Sequence, residues 1–168
     1  MRIEIREEQP SDIQAIREVN RRAFGQDQEG NIIDALRTNR AALLSLVAML
    51  NDQIVGHIMY SPLLIGGSVE AAALGPMAVL PEHQRQGIGS QLVDAGNRKL
   101  KEAGCPLIIV VGHADFYARF GFASASAHGI TCEWDVPDDA FMLLVLDQAK
   151  AKGVSGFATY RHEFSTIS

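Results

Sequence analysis

The stretch Met77-Ala78-Val79-Leu80-Pro81-Glu82-His83-Gln84-Arg85-Gln86-Gly87-Ile88-Gly89-Ser90 has the chemistry to hold an anion. An apolar, strand-like run enters a turn, and the turn opens a helical pattern through two glycines. Glycine lets a backbone approach a ligand and aim successive N–H groups at one point. A helix start adds about half a positive charge, which suits a phosphate. Arg85 adds a full charge and a fork of donors. Segment 81–101 has a formal charge of +2, while the rest of the chain has −7. A basic island in an acidic chain predicts a small polyanionic ligand. Two standard phosphate loops do not fit. A Walker loop needs Gly-Lys-Ser/Thr, which is absent. A Rossmann fingerprint needs a third glycine in the first βαβ unit, whereas position 92 is Leu and three strands come earlier.

Other reactive side chains are less organised. Cys105 and Cys132 have no CxxC or Cys/His spacing and read as free thiols in or near the core. His57, His128 and His162 lack metal spacing, so no metal is predicted. His83 either helps the anion loop or is exposed.

The elements that must position these groups follow from periodicity. Residues 2–6 alternate and read as a strand. Pro10-Ser11-Asp12 opens a helix with Ile13, Ile16, Val19 and Phe24 near one face, stopped by Gly25. A shorter helix with Ile32, Ile33 and Leu36 follows. Strands are predicted over 42–50 and 53–65, split by the hairpin pair Asn51-Asp52, and over 70–79 after Gly66-Gly67. The helix over 87–103 packs Ile88, Leu92, Val93 and Leu100 on one side and ends at Gly104. The apolar run 107–111 suits a strand buried on both faces. A short helix at 114–119 and strands at 141–146 and 156–164 complete the chain. The pattern predicts one α+β domain, residues 1–168, on a mixed, mainly antiparallel sheet.

Composition sets the outer limits. The chain has 168 residues, 47% of them apolar and 21% charged, which excludes disorder of the whole. A net charge of −5 argues against broad nucleic-acid binding. No apolar run reaches membrane-spanning length, and Met1-Arg2-Ile3-Glu4-Ile5 lacks a signal-peptide core. A cytoplasmic protein is expected, with no nucleic-acid or membrane partner.

Gln84-Arg85-Gln86-Gly87-Ile88-Gly89 resembles the Gln/Arg-x-x-Gly-x-Gly/Ala signature of the GNAT superfamily of N-acetyltransferases. Leu74-Gly75-Pro76-Met77-Ala78-Val79-Leu80-Pro81 looks like that family's central strand. Phe116-Tyr117-Ala118-Arg119-Phe120-Gly121-Phe122 resembles its Tyr-x-x-x-Gly-Phe segment. Gly112-His113, Trp134, Pro137 and a final strand ending Tyr160-Arg161-His162-Glu163-Phe164 look like the YhbS-like branch. The resemblance spans nearly the whole chain. It implies a three-layer α/β/α GNAT fold whose sheet is splayed at an acetyl-CoA site. It implies that Gln84, Arg85, Gln86, Gly87, Ile88, Gly89 and Ser90 bind the pyrophosphate. Met77, Ala78 and Val79 would pair with the pantetheine arm, with one N–H there facing the thioester oxygen. Proline cannot donate to a ladder, so Pro76 fits an edge or bulge.

Tyr117 matches the family's general-acid position and would protonate the departing thiolate. Its phenol, with an ordinary pKa near 10, is already protonated at neutral pH. The base is open among Glu29, Glu70, His113, Asp115 and water. Cys132 would support an acyl-enzyme route only if activated. The implied reaction is acetyl transfer from acetyl-CoA to a primary amine in a ternary complex, and a homodimer is allowed. The competing readings are a non-catalytic acyl-CoA-binding module, a transferase for another acyl-CoA, and a different nucleotide- or phosphate-binding protein.

Overall fold

The computed structural model describes residues 2–166; Met1, Ile167 and Ser168 lie outside them. The chain divides into two compact units. Among the described residues one unit comprises 2–61, Gly75–Gly96 and 162–166, and the other Pro62–Leu74 and Asn97–Arg161.

The first unit holds β1 (Glu4–Glu7), α1 (Ile13–Phe24), α2 (Gln28–Thr38) and β2 (Leu44–Leu50). It also holds most of β3 (Gln53–Ile65), the end of β4 (Val69–Val79) and the start of α3 (Ile88–Glu102). A 3₁₀ turn over Pro10–Asp12 leads into α1. Asp12 fixes this start: it accepts the Gln9 N–H at 2.7 Å and two bonds from Arg6, at 2.7 and 3.1 Å. The αL residue Gly25 ends α1, donating to the Arg21 carbonyl at 2.8 Å. Ile16, Val19, Ile32, Ile33 and Leu36 are buried, whereas Ile13 and Phe24, expected on the same face as Ile16 and Val19, are exposed at the two ends of α1. Asn51 and Asp52, with φ of 51° and 62°, make the left-handed two-residue turn that joins β2 to β3.

Within this unit Gly96 of α3 lies against the fully buried Tyr60 of β3. A Cβ at 96 would collide with the Tyr60 phenol. Gly96→Ala gains about 1 kcal/mol of helix propensity but overpacks the core at a cost of about 1–3 kcal/mol. We expect a lower urea midpoint; a raised midpoint would contradict this packing.

A half-buried polar chain runs from α2 to the fully buried His57 of β3. Arg37 donates to Glu8 at 2.8 and 2.7 Å, and the Ser45 hydroxyl donates to Glu8 at 2.6 Å. The Ser45 oxygen lies 2.8 Å from His57 Nε2. Its proton is given to Glu8, so it accepts Nε2–H from His57 and fixes the tautomer. Burial pushes the His57 imidazolium down to about 4, with the charges of Glu8 and Arg37 acting second and in opposite directions. Above pH 6.5, both folded and unfolded His57 are neutral. Between 6.5 and about 4 only the unfolded chain takes the proton, so stability falls as pH falls. The loss is roughly 3 kcal/mol at 1.36 kcal/mol per unit. Glu8 acts in the same direction at lower pH. Burial raises it, but the Arg37 and Ser45 bonds and the Arg37 charge together hold it below the usual range. Urea titrations from pH 7 to 4 should show the decline, and His57→Gln should flatten it above the carboxylate range. An unchanged slope in that variant would contradict the assignment.

The second unit holds β5 (Leu107–Val111), α4 (Ala114–Ala118), β6 (Ala123–Ser124) and β7 (Ile130–Cys132). It continues with β8 (Phe141–Val145), α5 (Gln148–Ala151) and β9 (Gly156–Thr159). Its core includes Leu63, Ile65, Ala73, Leu107, Ile109 and Leu143. β5 runs antiparallel to β8 over its whole length and parallel to β4 at Ala72–Leu74. The strand order is β1-β2-β3-β4-β5-β8-β6, with β9 paired to β3 and β7. β4–β5 and β7–β9 are parallel, while β1–β2, β2–β3, β3–β9, β5–β8 and β6–β8 are antiparallel, so the sheet is mixed and mainly antiparallel, as expected.

Three details differ from the sequence reading. The last strand ends at Thr159, and His162–Thr166 form a 3₁₀ turn. Asn39, at the end of α2, donates to the buried Glu163 carboxylate at 2.8 Å and so holds that turn. Val111 is 40% exposed, so burial on both faces holds only for Leu107–Val110. The short β6, β7 and α5 are too brief to leave a periodic signal. No helix among the described residues is long and apolar enough to cross a membrane.

Candidate active site

The anion loop belongs to the first unit. β4 leaves its register with β5 at Leu74 yet continues as a strand to Val79. Pro76 has no N–H there. Met77 is half-buried, and Ala78 and Val79 are buried. The Leu80 N–H then donates to the Val55 carbonyl at 2.9 Å, which ties the chain to β3. A 3₁₀ turn over Pro81–His83 follows, and the Gln84 side chain reaches back to donate to the Val79 carbonyl at 3.0 Å. Gln84 is therefore a brace across the loop.

Arg85 and Gly87 are left-handed, at φ 62° and 84°. Such alternations turn successive N–H groups onto one concave face. The first bond of α3 runs from the Gln91 N–H to the Gly87 carbonyl at 3.1 Å. Helix geometry leaves the N–H groups of Ile88 and Gly89 without intrahelical acceptors. Ile88 is buried and packs with Leu92 over Gly56, whose missing Cβ would lie 3.2 Å from Ile88 and 3.1 Å from Leu92. This close approach seats the helix start on the sheet.

The charges are also arranged. Arg22 of α1 grips Glu82 with two bonds, at 2.8 and 2.6 Å, and so neutralises the acid nearest the loop. The Arg85 guanidinium forms no hydrogen bond or ion pair with any described residue. A left-handed conformation costs an L-residue about 1–2 kcal/mol, and strain of this kind collects at ligand sites. The loop thus presents a free cation and a set of backbone donors, the chemistry a pyrophosphate needs. His83 is half-buried beside it.

Tyr117 lies in the second unit, on α4, and is buried. Its ring meets Phe116 and Phe122 edge-on, with centroids at 4.9 and 5.6 Å. Burial pushes the phenol up to about 12, so it is protonated across the physiological range. Its hydroxyl makes no hydrogen bond to any described residue. The His113 carbonyl accepts from the N–H groups of Phe116 and Tyr117, both at 3.1 Å, which starts the helix.

The candidate bases are scattered by comparison. Glu70 is exposed at the opposite end of β4 from Met77–Val79, and the His113 and Asp115 side chains are exposed around the start of α4. Glu29 accepts from Gln26 at 3.1 Å. Burial raises both cysteine thiols, so neither is an activated thiolate. No group of three or more His, Cys, Asp or Glu among the described residues is placed to hold a metal. The Arg22–Glu82 grip, the Ser45–His57 link and the fit of Tyr117 against Gly112 had no sequence signal. Each joins residues that no spacing rule connects.

A strand that leaves its parallel neighbour thus runs into a left-handed loop and a helix, in that order, within a mixed sheet. The family model of the acetyltransferase (GNAT) domain matches residues 4–125. The uncharacterized N-acetyltransferase YhbS of Escherichia coli (strain K12) is 32% identical over 163 residues, or 96% of this chain and 98% of that protein. The crystal structure of E. coli YhbS in complex with CoA superposes with a TM-score of 0.95 at 31% identity, covering 100% of this chain and 94% of that one. A GNAT family acetyltransferase from Brucella melitensis, solved in complex with acetyl-CoA, gives a TM-score of 0.80 at 35% identity over 97% and 98% of the two chains. The chain belongs to the GNAT superfamily of N-acetyltransferases and is an acetyltransferase with that fold.

Proposed function

We propose that the protein transfers an acetyl group from acetyl-CoA to a primary amine of a small molecule, peptide or protein, by direct attack in a ternary complex. The observation that carries this reading is the left-handed loop with its unpaired Arg85. The backbone of 85–90 and the Arg85 guanidinium would hold the pyrophosphate. Gln86, Gly87, Gly89 and Ser90 supply the rim, and buried Ile88 offers its N–H alone. Met77, Ala78 and Val79 would bond the pantetheine amides, where β4 has left its register with β5. CoA and acetyl-CoA in the YhbS and Brucella structures support this choice of ligand.

When bound, acetyl-CoA supplies an activated acyl carbon and a thiolate leaving group. Tyr117 would donate its phenolic proton to that thiolate. The amine proton would pass to Glu29, Glu70, His113, Asp115 or water. The high thiol pKa values of Cys105 and Cys132 favour direct transfer over an acyl-cysteine route. The chain would act as one acetyltransferase domain of residues 1–168, since β3, β4 and α3 each have residues in both units.

Calorimetric titration with acetyl-CoA, ATP and NAD tests the ligand. We expect binding of acetyl-CoA well above that of the other two. No heat with acetyl-CoA, or equal affinity for ATP, would overturn the reading.

A further inference from the structure

We infer that Gly112 is a positioning residue whose missing side chain is the space that holds the Tyr117 ring. This rests on the reading of Tyr117 as the general acid. A Cβ at position 112 would overlap Tyr117 Cε2 and lie 3.0 Å from Cδ2 and 3.5 Å from Cζ. The backbone conformation does not require glycine, because Gly112 is not left-handed. The requirement is for space alone.

Neither partner has room to yield. The Gly112 N–H donates to the Ala140 carbonyl at 2.9 Å, and its neighbour Val111 pairs with Phe141 in the β5–β8 ladder. The Tyr117 N–H is held by the His113 carbonyl, so the ring folds back over Gly112 from the first turn of α4. Around the ring stand Phe116, Phe122 and Phe120, with centroids 4.9, 5.6 and 6.5 Å away. A methyl group at 112 therefore displaces the ring, and with it the hydroxyl, on the order of 1 Å. A misplacement of that size costs about 100-fold in rate.

The test combines turnover with stability. Thiol release from acetyl-CoA is followed with spermidine, a lysine peptide, a peptide with a free N-terminus and an amino sugar. Water hydrolysis serves as the reaction where no amine exceeds it. Gly112→Ala should lower kcat about 10–100-fold, with KM for acetyl-CoA within about threefold. Added to Tyr117→Phe, it should cost less than about threefold more, because its effect runs through the hydroxyl. Wild-type kcat, or the full loss in the Tyr117→Phe background, would overturn the inference. The urea midpoint provides a reading independent of activity. Gly112→Ala should lower it in the wild-type chain and leave it unchanged in a Tyr117→Ala background, where the ring is gone. An equal loss in both backgrounds would overturn the inference. A Gly112→Ala chain that folds only with Tyr117→Ala would support it. Unchanged turnover in Tyr117→Phe alone would instead remove the general-acid reading and leave the packing result standing.

Discussion

Tyr117→Phe is expected to lower kcat about 100-fold while leaving the dissociation constant of acetyl-CoA within about twofold. The substitution removes one oxygen and keeps the ring that packs on Phe116 and Phe122. That oxygen has no hydrogen-bond partner among the described residues, so its loss strands no buried group. Stability should therefore change by no more than about 0.5 kcal/mol. What disappears is the proton donor. Burial holds the phenol at about 12, which keeps the acid form populated throughout the assay range. A general acid is lost only as pH rises through its own pKa. The Tyr117 limb of the kcat profile should then lie beyond pH 10, and any decline below that belongs to another group. Thiol release measured from pH 6 to 10 on both chains checks each part. Unchanged kcat in Tyr117→Phe would remove the assignment.

Arg85→Gly should have the second largest effect, and on a different parameter. The guanidinium offers a charge-assisted bond to a phosphate, worth about 1.5–3 kcal/mol. Removing it should raise KM for acetyl-CoA about 10–100-fold with kcat nearly kept. The same change relieves the left-handed strain at φ 62°, about 1–2 kcal/mol for an L-residue. The greater freedom of glycine in the unfolded chain offsets about 0.5–1 kcal/mol of that gain. Stability should be unchanged or higher by up to about 1 kcal/mol, so the variant separates ligand binding from folding. A lower stability with unchanged KM would mean that Arg85 serves the fold.

The sequence made the frame of this site legible because its frame is local. Glycine spacing, the Pro76 break and the period of Ile88, Leu92 and Val93 each act over a few residues, and each appears in the structure as a turn, an end of register or a buried stripe. The hairpin at Asn51-Asp52 was readable for the same reason. What escaped was contact across long separations. Glu82 sits in a segment of net positive charge, and only the fold brings Arg22 to neutralise it. His57 reads as an isolated histidine, yet its tautomer is set by Ser45 and, through it, by Glu8 and Arg37. The tail over 156–164 reads as a strand, but the strand ends at Thr159 and a 3₁₀ turn follows, where Asn39 holds Glu163. Gly112 enters the sequence reading only through the Gly112-His113 resemblance, and its physical reason appears when the ring of Tyr117 is placed against it.

The central claim is amine-dependent acetyl transfer without an acyl-enzyme. An initial-rate matrix, varying acetyl-CoA against the fastest amine of the panel, tests it most directly. Direct transfer gives intersecting double-reciprocal lines and recovery of the acetyl group on the amine. Parallel lines with acetyl found on Cys132, or thiol release that no amine accelerates, would contradict it.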